Sequence, residues 1–394
     1  MMKLRKTLYH VICLMLGITL SGCIEEYEAD IADEDLYLLV VEGTIHSGGV
    51  NTFYLSRTQA INSAYTPWML DALVSVRGSD GSEIIAQNNY GYFTCQIDTL
   101  LPEVEYYLHI EVDDDVYESE PQKPLRTEKI ADVRGVQNTP TSSIDILVTP
   151  ADPFDNGKDN YYSWTYDETW EVHPEHITTM YYDVKAQAPV MDVVDLYPRR
   201  GWKNDRSNIT MFGSSSNYDS QHIQGLKLYD ISRSDERMYV RYSGLIHQRA
   251  ITKGEYEYEL ARRQASSEMG GLFTPQPSAL PTNIRCLTSK KRAIGYIGCS
   301  YNTSEYRFFL REIDYSIAHP THGDTRLWVE DPTPVDCLQL IARGYRLCEW
   351  NEPDVMEDGP LQTAWAFEFQ LDVRKRGAYI EEPEFWSWTE NVSF

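Results

Sequence analysis

The chain has 394 residues, 60 of them acidic and 35 basic, for a formal net charge of −25 at pH 7. Such a surface repels phosphate backbones and anionic headgroups, which argues against nucleic-acid binding and against peripheral docking on a charged membrane. The length suits about two or three domains, and past residue 22 no apolar run is long enough for a membrane-spanning helix.

At the start, Lys3, Arg5 and Lys6 form a basic n-region and Thr7 to Leu20 a mostly apolar h-region, too short to cross a bilayer comfortably. Residues 1–22 therefore read as a signal segment. It ends in Leu20-Ser21-Gly22-Cys23, which resembles the lipobox of bacterial lipoproteins, where the cysteine thiol is acylated before cleavage. The resemblance makes Cys23 the lipidation site and the mature N-terminus. Residues 23–35 follow as an acidic tether with Glu25, Glu26, Glu28, Asp30, Asp33, Glu34 and Asp35. A buried acyl methylene is worth about 0.8 kcal/mol, so more than one chain holds the membrane without help from these acids. With few apolar neighbours the acids stay solvated. The cluster is similar to the export signal of Bacteroidota-type lipoproteins, which sends the protein to the outer face of the outer membrane. That similarity assigns Glu25, Glu26 and Glu28 to export, with inward-facing attachment as the alternative.

Residues 36–120 read as a small immunoglobulin-like β-sandwich. In "VEYYLHIEV", Tyr106, Leu108, Ile110 and Val112 fall on one face and Tyr107, His109 and Glu111 on the other, as a half-buried strand requires. Similar runs occur at "LYLLVVEGTI", "NTFYLS", "ALVSVRG" and "YGYFTCQI", the last placing Cys95 as a buried strand residue. Asp113-Asp114-Asp115 reads as a hairpin tip.

Residues 121–143, with Pro and Thr, read as a linker, and 144–394 as a larger β-rich domain with one or two helices. Its strands are expected at "SIDILVTP", "NYYSWTYDETWEV", "KRAIGYIGCSY", "EYRFFLREIDY" and "TAWAFEFQLDV". Between Lys185 and Ser234 the pattern weakens, and "PRRGWKNDR" reads as a loop. Its Arg199, Arg200, Lys203 and Arg206 form the main basic cluster, a set of candidate partner contacts that neighbouring acids would neutralise. A helix is predicted from Thr252 to about Ser267, with Thr252 and Glu255 as a capping box, Glu259 and Arg263 as an i,i+4 pair, and Gly270-Gly271 as its end.

With these elements in place the chain resembles domain-of-unknown-function family 4249, a group of outer-membrane lipoproteins. "LVVEG" at Leu39 to Gly43 looks like its first strand. "GGLFTPQPSALPTNI" followed by "AIGYIGCS" looks like its helix exit and next strand, and "RKRGAYIEEPEFW" at Arg374 to Trp386 like its closing turn. Many members carry Cys-x-x-Cys before that turn, whereas Gln370 and Val373 stand here, so no role of that pair carries over. The resemblance implies an N-terminal immunoglobulin-like module, a larger β-rich module, and association with TonB-dependent outer-membrane transporters. It implies no enzymatic activity and no cofactor.

Motifs for catalysis are missing from the sequence: no Gly-x-Ser-x-Gly elbow, His-Glu-x-x-His helix or phosphate-binding glycine loop occurs. His-Pro-x-His occurs twice, at His173 to His176 and His319 to His322. If the two met, His173, His176, His319 and His322 could hold a metal or haem, but surface turns explain them as well. Cys286, Cys299, Cys337 and Cys348 admit two disulfides in any of three connectivities. A glycan ligand would find its aromatic contacts at Trp68 and Trp202, both read as loop residues. The predicted function is thus a surface lipoprotein acting as a non-catalytic accessory or ligand-binding partner of a TonB-dependent transporter. The alternatives are a structural or adhesive surface protein and a glycan-binding protein.

Overall fold

The computed structural model describes residues 37–59, 67–151, 159–219, 221–267, 280–320, 323–353, 359–387 and 392–393. Cys23, Glu25, Glu26 and Glu28, with the whole signal segment and tether, lie outside the described residues, as do His322 and Gly270-Gly271.

Period-two burial builds an N-terminal immunoglobulin-like sandwich. Along Gly49–Arg57, Asn51, Phe53 and Leu55 are fully buried while Val50 and Tyr54 face outward. One sheet has the order Ala293–Ile294, Leu39–Glu42, Gly49–Arg57, Tyr92–Ile97, Gln87–Asn88. The other has the order Ile284–Cys286, Asp115–Ser119, Tyr106–Val112, Ala72–Gly78, Glu83–Ile85. Phe53, Phe93, Val74, Leu108 and Tyr117 meet in the core between them, each full burial of a large apolar side chain being worth about 1.5–3 kcal/mol. Val112 pairs with Asp115, so Asp113 and Asp114 close a two-residue hairpin, Asp113 at φ 53°. His109 has outward parity yet is only 5% exposed, because Glu118 and Glu111 flank its two ring nitrogens at 2.8 and 3.1 Å.

Three strands that pair with this sandwich arrive from far downstream. Ala293–Ile294 pairs parallel with Leu39–Glu42, Ile284–Cys286 pairs antiparallel with Asp115–Ser119, and Gly298–Ser300 pairs parallel with Thr44–His46. Local pattern alone assigns residues 284–300 to the C-terminal region. Long-range packing places Ile284, Ala293, Ile297 and Cys299 in the first core instead. Gly295 makes the approach possible: it sits at φ +137°, and a Cβ there would come 2.1 Å from the Val41 carbonyl oxygen.

The next core lies between a three-stranded and a larger sheet. The first runs Ile130–Val136, Ile144–Pro150, Leu226–Ile231; the second runs Gly201–Arg206, Tyr161–Val172, Arg241–Ile251, Ser304–Arg311, Val392–Ser393, with Met211–Ser214 also on Tyr161–Val172. Trp164, Tyr242, Ile246, Phe308, Ile146 and Val148 fill the space between them. Ile130–Val136 falls within the stretch that reads as a linker. Gly201–Arg206, expected as a loop, is an edge strand. It ladders with Tyr161–Val172 on one side and meets only a single bridge, at Tyr379, on the other, so its polar residues can face solvent and no apolar alternation marks it.

A third, smaller layer joins Leu327–Glu330, Gln362–Phe367 and Tyr345–Asn351 to the helix Pro334–Ala342. Thr333 caps that helix through Asp336, Pro334 occupies its first turn, and Cys337 and Leu340 pack on Trp365, Leu347 and Tyr182. The run "TAWAFEFQLDV" is strand only to Phe367 and turns into the short helix Glu368–Leu371. The predicted long helix spans Lys253–Ser267, and Thr252 Oγ1 accepts from the Glu255 amide at 3.1 Å. Only that half of the capping box forms, since the Glu255 carboxylate turns inward to Arg249. Glu259 pairs with Arg262 at 2.7 Å rather than with Arg263, whose guanidinium lies over the Phe212 ring at 4.8 Å. Among the described residues no helix is long and apolar enough to cross a membrane.

Candidate functional site

The predicted basic cluster is built on the edge strand Gly201–Arg206, and strand parity divides it. The register sets Trp202 opposite Glu171 and Arg206 opposite Asp167, placing these on one face, while Lys203 stands opposite Trp170 on the other. Lys203 Nζ reaches Glu236 at 2.5 Å. Arg206 Nε donates to Asp167 at 2.7 Å, yet its side chain remains 80% exposed. Arg200 donates Nε and Nη2 to the two Glu171 oxygens at 2.6 and 3.1 Å and Nη1 to Glu382 at 3.2 Å. Arg199 is exposed, and among the described residues it forms no ion pair. Neighbouring acids thus neutralise three of the four, leaving the Arg199 and Arg206 guanidinia turned to solvent.

Glu171 is the centre of this region although it is only 5% exposed. Besides Arg200 it meets His173 Nε2 at 2.8 Å and accepts the Trp386 indole N–H at 3.1 Å. Burial pushes its carboxyl pKa up, but the donors from Arg200, His173 and Trp386 outweigh that and hold it below the ordinary value. The C-terminal ending "RKRGAYIEEPEFW" closes over this site. Tyr379 and Trp202 exchange backbone hydrogen bonds at 2.8 and 2.9 Å. Trp386 then lies edge-on to Trp202 and Phe309, with ring centroids at 6.3 and 6.0 Å, while Arg241 Nη1 donates to its carbonyl at 2.7 Å. Next to it the Arg307 guanidinium covers the Phe385 ring at 3.6 Å. This arrangement docks a chain segment; it does not resemble an acid–base or nucleophilic constellation.

Trp202 is therefore no loop contact for a glycan: it is 3% exposed beneath this clamp. Trp68 is 47% exposed and stands beside Tyr54, which also neighbours Tyr92. Sequence reasoning missed those two tyrosines, although Tyr54 carries the outward parity of its strand.

The histidines take separate partners. His173 meets Glu171, His176 Nε2 meets Thr325 Oγ1 at 2.7 Å, and His319 Nε2 meets Glu312 at 2.6 Å beside the Tyr239 ring. Among the described residues no group of three His, Cys, Asp or Glu side chains could hold a metal.

Cys95, Cys286, Cys299, Cys337 and Cys348 are all free thiols, so none of the three possible connectivities forms. Cys286 and Cys299 belong to the first core, Cys337 and Cys348 to two others. Burial pushes Cys95 and Cys348 up to about 11 and Cys299 up to about 12. Cys286 differs: burial raises it, but Ser289 and Thr288 hydrogen bonds outweigh that and lower it from the usual thiol value. Asp115 beside it is drawn down to about 2 by Lys291, whose Nζ donates at 2.6 Å.

Compared with known proteins, residues 24–306 match the sequence model described as "Domain of unknown function (DUF4249)". The ending at Arg374 to Trp386 lies beyond that match. No curated protein matches the chain. Among solved structures, the crystal structure of the chicken CNTN1 FN1-FN3 domains is similar at 11% identity and a TM-score of 0.19. That similarity covers 54% of this chain and spans 62% of the other.

Proposed function

This chain belongs to the DUF4249 family, and from that premise we propose that it is an outer-membrane lipoprotein serving a TonB-dependent nutrient transporter as a non-catalytic, ligand-binding accessory. Cys23 carries the acyl anchor, and the acids Glu25, Glu26 and Glu28 direct the protein to the exterior face. The observation that carries this reading is the order of basic segment, apolar segment, Leu20-Ser21-Gly22-Cys23 and acidic tether ahead of β-rich modules. A tether of this kind confines the folded part to the membrane surface, where effective concentration lets even a modest interface be well occupied. Arg199 and Arg206 are the contacts best suited to a partner, because Arg199 is exposed and Arg206, although paired with Asp167, keeps its side chain 80% exposed, whereas Lys203 is drawn in to Glu236 and Arg200 to Glu171 and Glu382. Charged groups in such a place steer association and set orientation more than they supply affinity.

Affinity purification from outer membranes in mild detergent tests the reading. Enrichment of a TonB-dependent barrel over an unrelated surface lipoprotein is expected. Without it, the accessory role fails and a structural or adhesive surface protein becomes the better account.

A further inference from the structure

The helix Lys253–Ser267 covers one edge of the outer face of the first sheet of the N-terminal sandwich, Tyr258 packing with Val40 and Ile294, and the uncovered rows beyond it are polar yet carry little charge. Register sets Tyr54 opposite Tyr92, Thr52 opposite Thr94, Val50 opposite Gln96, and Gln87 opposite Thr94. In these rows Glu42, opposite Tyr54, is the sole carboxylate among the described residues, in a chain whose residues are 24% charged. Tyr54 lies 6.2 Å from both the Trp68 and the Tyr92 ring, at interplanar angles of 51° and 39°. The three rings are 43%, 47% and 44% exposed for Tyr54, Trp68 and Tyr92, so they support one another and leave their outer surfaces free.

The neighbouring hairpin is shaped around this group. Gly91 sits at φ +104°, and a Cβ there would come 2.7 Å from the Trp68 Cβ, so only glycine admits the indole. Asn89 N–H bonds to the Tyr92 carbonyl at 2.8 Å across a turn whose central residues, Tyr90 and Gly91, both have positive φ. Asn, Asp or Gly fits the first of these positions with least strain. Tyr90 occupies it instead, at φ 56° and 93% exposed, where it gains nothing from burial. Strain without a folding benefit gathers at ligand sites.

We propose that this face binds a neutral polysaccharide chain, with Tyr54, Trp68 and Tyr92 stacking on sugar rings and Thr52, Gln87 and Gln96 bonding sugar hydroxyls. An anionic ligand would meet only Arg262, which is paired with Glu259 and lies near Glu42, and an overall charge of −25. A cationic one would find Glu42, which lies near Arg262, and Asp98, to which the Gln96 amide already donates at 3.2 Å. Hydroxyl-rich neutral rings match both the apolar ring faces and the amide and hydroxyl groups set between them. The inference stands apart from the transporter reading.

Affinity electrophoresis of the full-length protein tests it, with α-mannan, β-glucan, arabinoxylan or amylopectin in the gel and polygalacturonate as the anionic comparison. At least one neutral polymer should retard the wild type and polygalacturonate should not. Trp68→Ala and Tyr92→Ala should each weaken retardation about tenfold or more, and Trp328→Ala, which removes an exposed indole elsewhere, should leave it unchanged. Tyr90→Asn relieves the backbone, so it should weaken binding while keeping or raising the thermal midpoint, which separates ligand contact from folding. The proposal is overturned if no neutral polymer retards the folded wild type, if polygalacturonate alone does, or if retardation survives Trp68→Ala. Self-association of the wild type that Trp68→Ala abolishes would assign the face to a second copy and overturn it equally.

Discussion

Trp386 donates its indole N–H to Glu171 at 3.1 Å, joining positions 215 residues apart. Trp386 is 1% exposed and Glu171 5%, so the bond forms out of water, in a site that also holds Arg200. A buried carboxylate keeps its charge only where donors surround it. The end of the chain is thus one of the groups that make Glu171 tolerable, and Glu171 in turn fixes where that end lies.

Removing the two parts of this contact separately should show both contributions. Trp386→Phe keeps most of the packing and loses the hydrogen bond, at a cost of about 1–2 kcal/mol. Trp386→Ala also opens a cavity, for about 3–5 kcal/mol. Urea unfolding followed by tryptophan fluorescence measures both. A Trp386→Phe variant as stable as the wild type would show that the bond contributes nothing.

The pairing of Asp115 with Lys291 makes the first sandwich acid-sensitive. Its folded pKa of about 2 lies below the ordinary unfolded value near 3.9. A depressed carboxyl pKa contributes stability that is fully present above the unfolded value and is lost as pH falls through the folded one. The loss should therefore fall between about pH 4 and pH 2. Lys291→Met should flatten the slope of stability with pH in that window, as read by acid titration of the urea midpoint. An unaltered slope would remove the pair from the account.

Strand periodicity made much of this fold legible before the structure. "VEYYLHIEV" and "NTFYLS" alternate because each has one face in a core, and the Thr252 cap announced its helix locally. Other features depend on distant partners. Residues 284–300 carry no local sign that they will close the first sandwich, which is decided by Gly295 against Val41 and Asp115 against Lys291. Gly201–Arg206 read as a loop because an edge strand over a polar rim needs little apolar residue content. That acids would neutralise the basic cluster was legible, but not that Glu171, 29 residues away, would be the one to take Arg200. The helix Pro334–Ala342 was missed although "TPVD" offers both a cap and a first-turn proline.

The five free cysteines among the described residues should differ sharply in reactivity. In the folded protein Cys286 should react first with iodoacetamide near neutral pH, because its hydrogen bonds from Ser289 and Thr288 favour the thiolate. Cys95, Cys299 and Cys348 are buried and raised, and should react only after unfolding. Peptide mapping by mass spectrometry follows each site. Early labelling of Cys299 would contradict the placement of the returning segment.

Anchoring and export should separate genetically. Labelled fatty acid should enter the wild type and not Cys23→Ala. Replacing Glu25, Glu26 and Glu28 with Ala should keep the label while protecting the protein from protease added to whole cells. Label persisting in Cys23→Ala excludes the lipobox, and unchanged protease sensitivity excludes the export role.

Photo-crosslinking in living cells tests the central claim, the transporter partnership, most directly. A photoreactive residue placed at Arg199 or at Arg206, with Leu260 on the helix Lys253–Ser267 as a comparison site, samples the two solvent-facing guanidinium positions and a surface outside the cluster. The account predicts adducts to a TonB-dependent outer-membrane barrel from 199 or 206, identified by mass spectrometry, and none from 260. Surface-displayed protein that gives no barrel adduct from either position would contradict it.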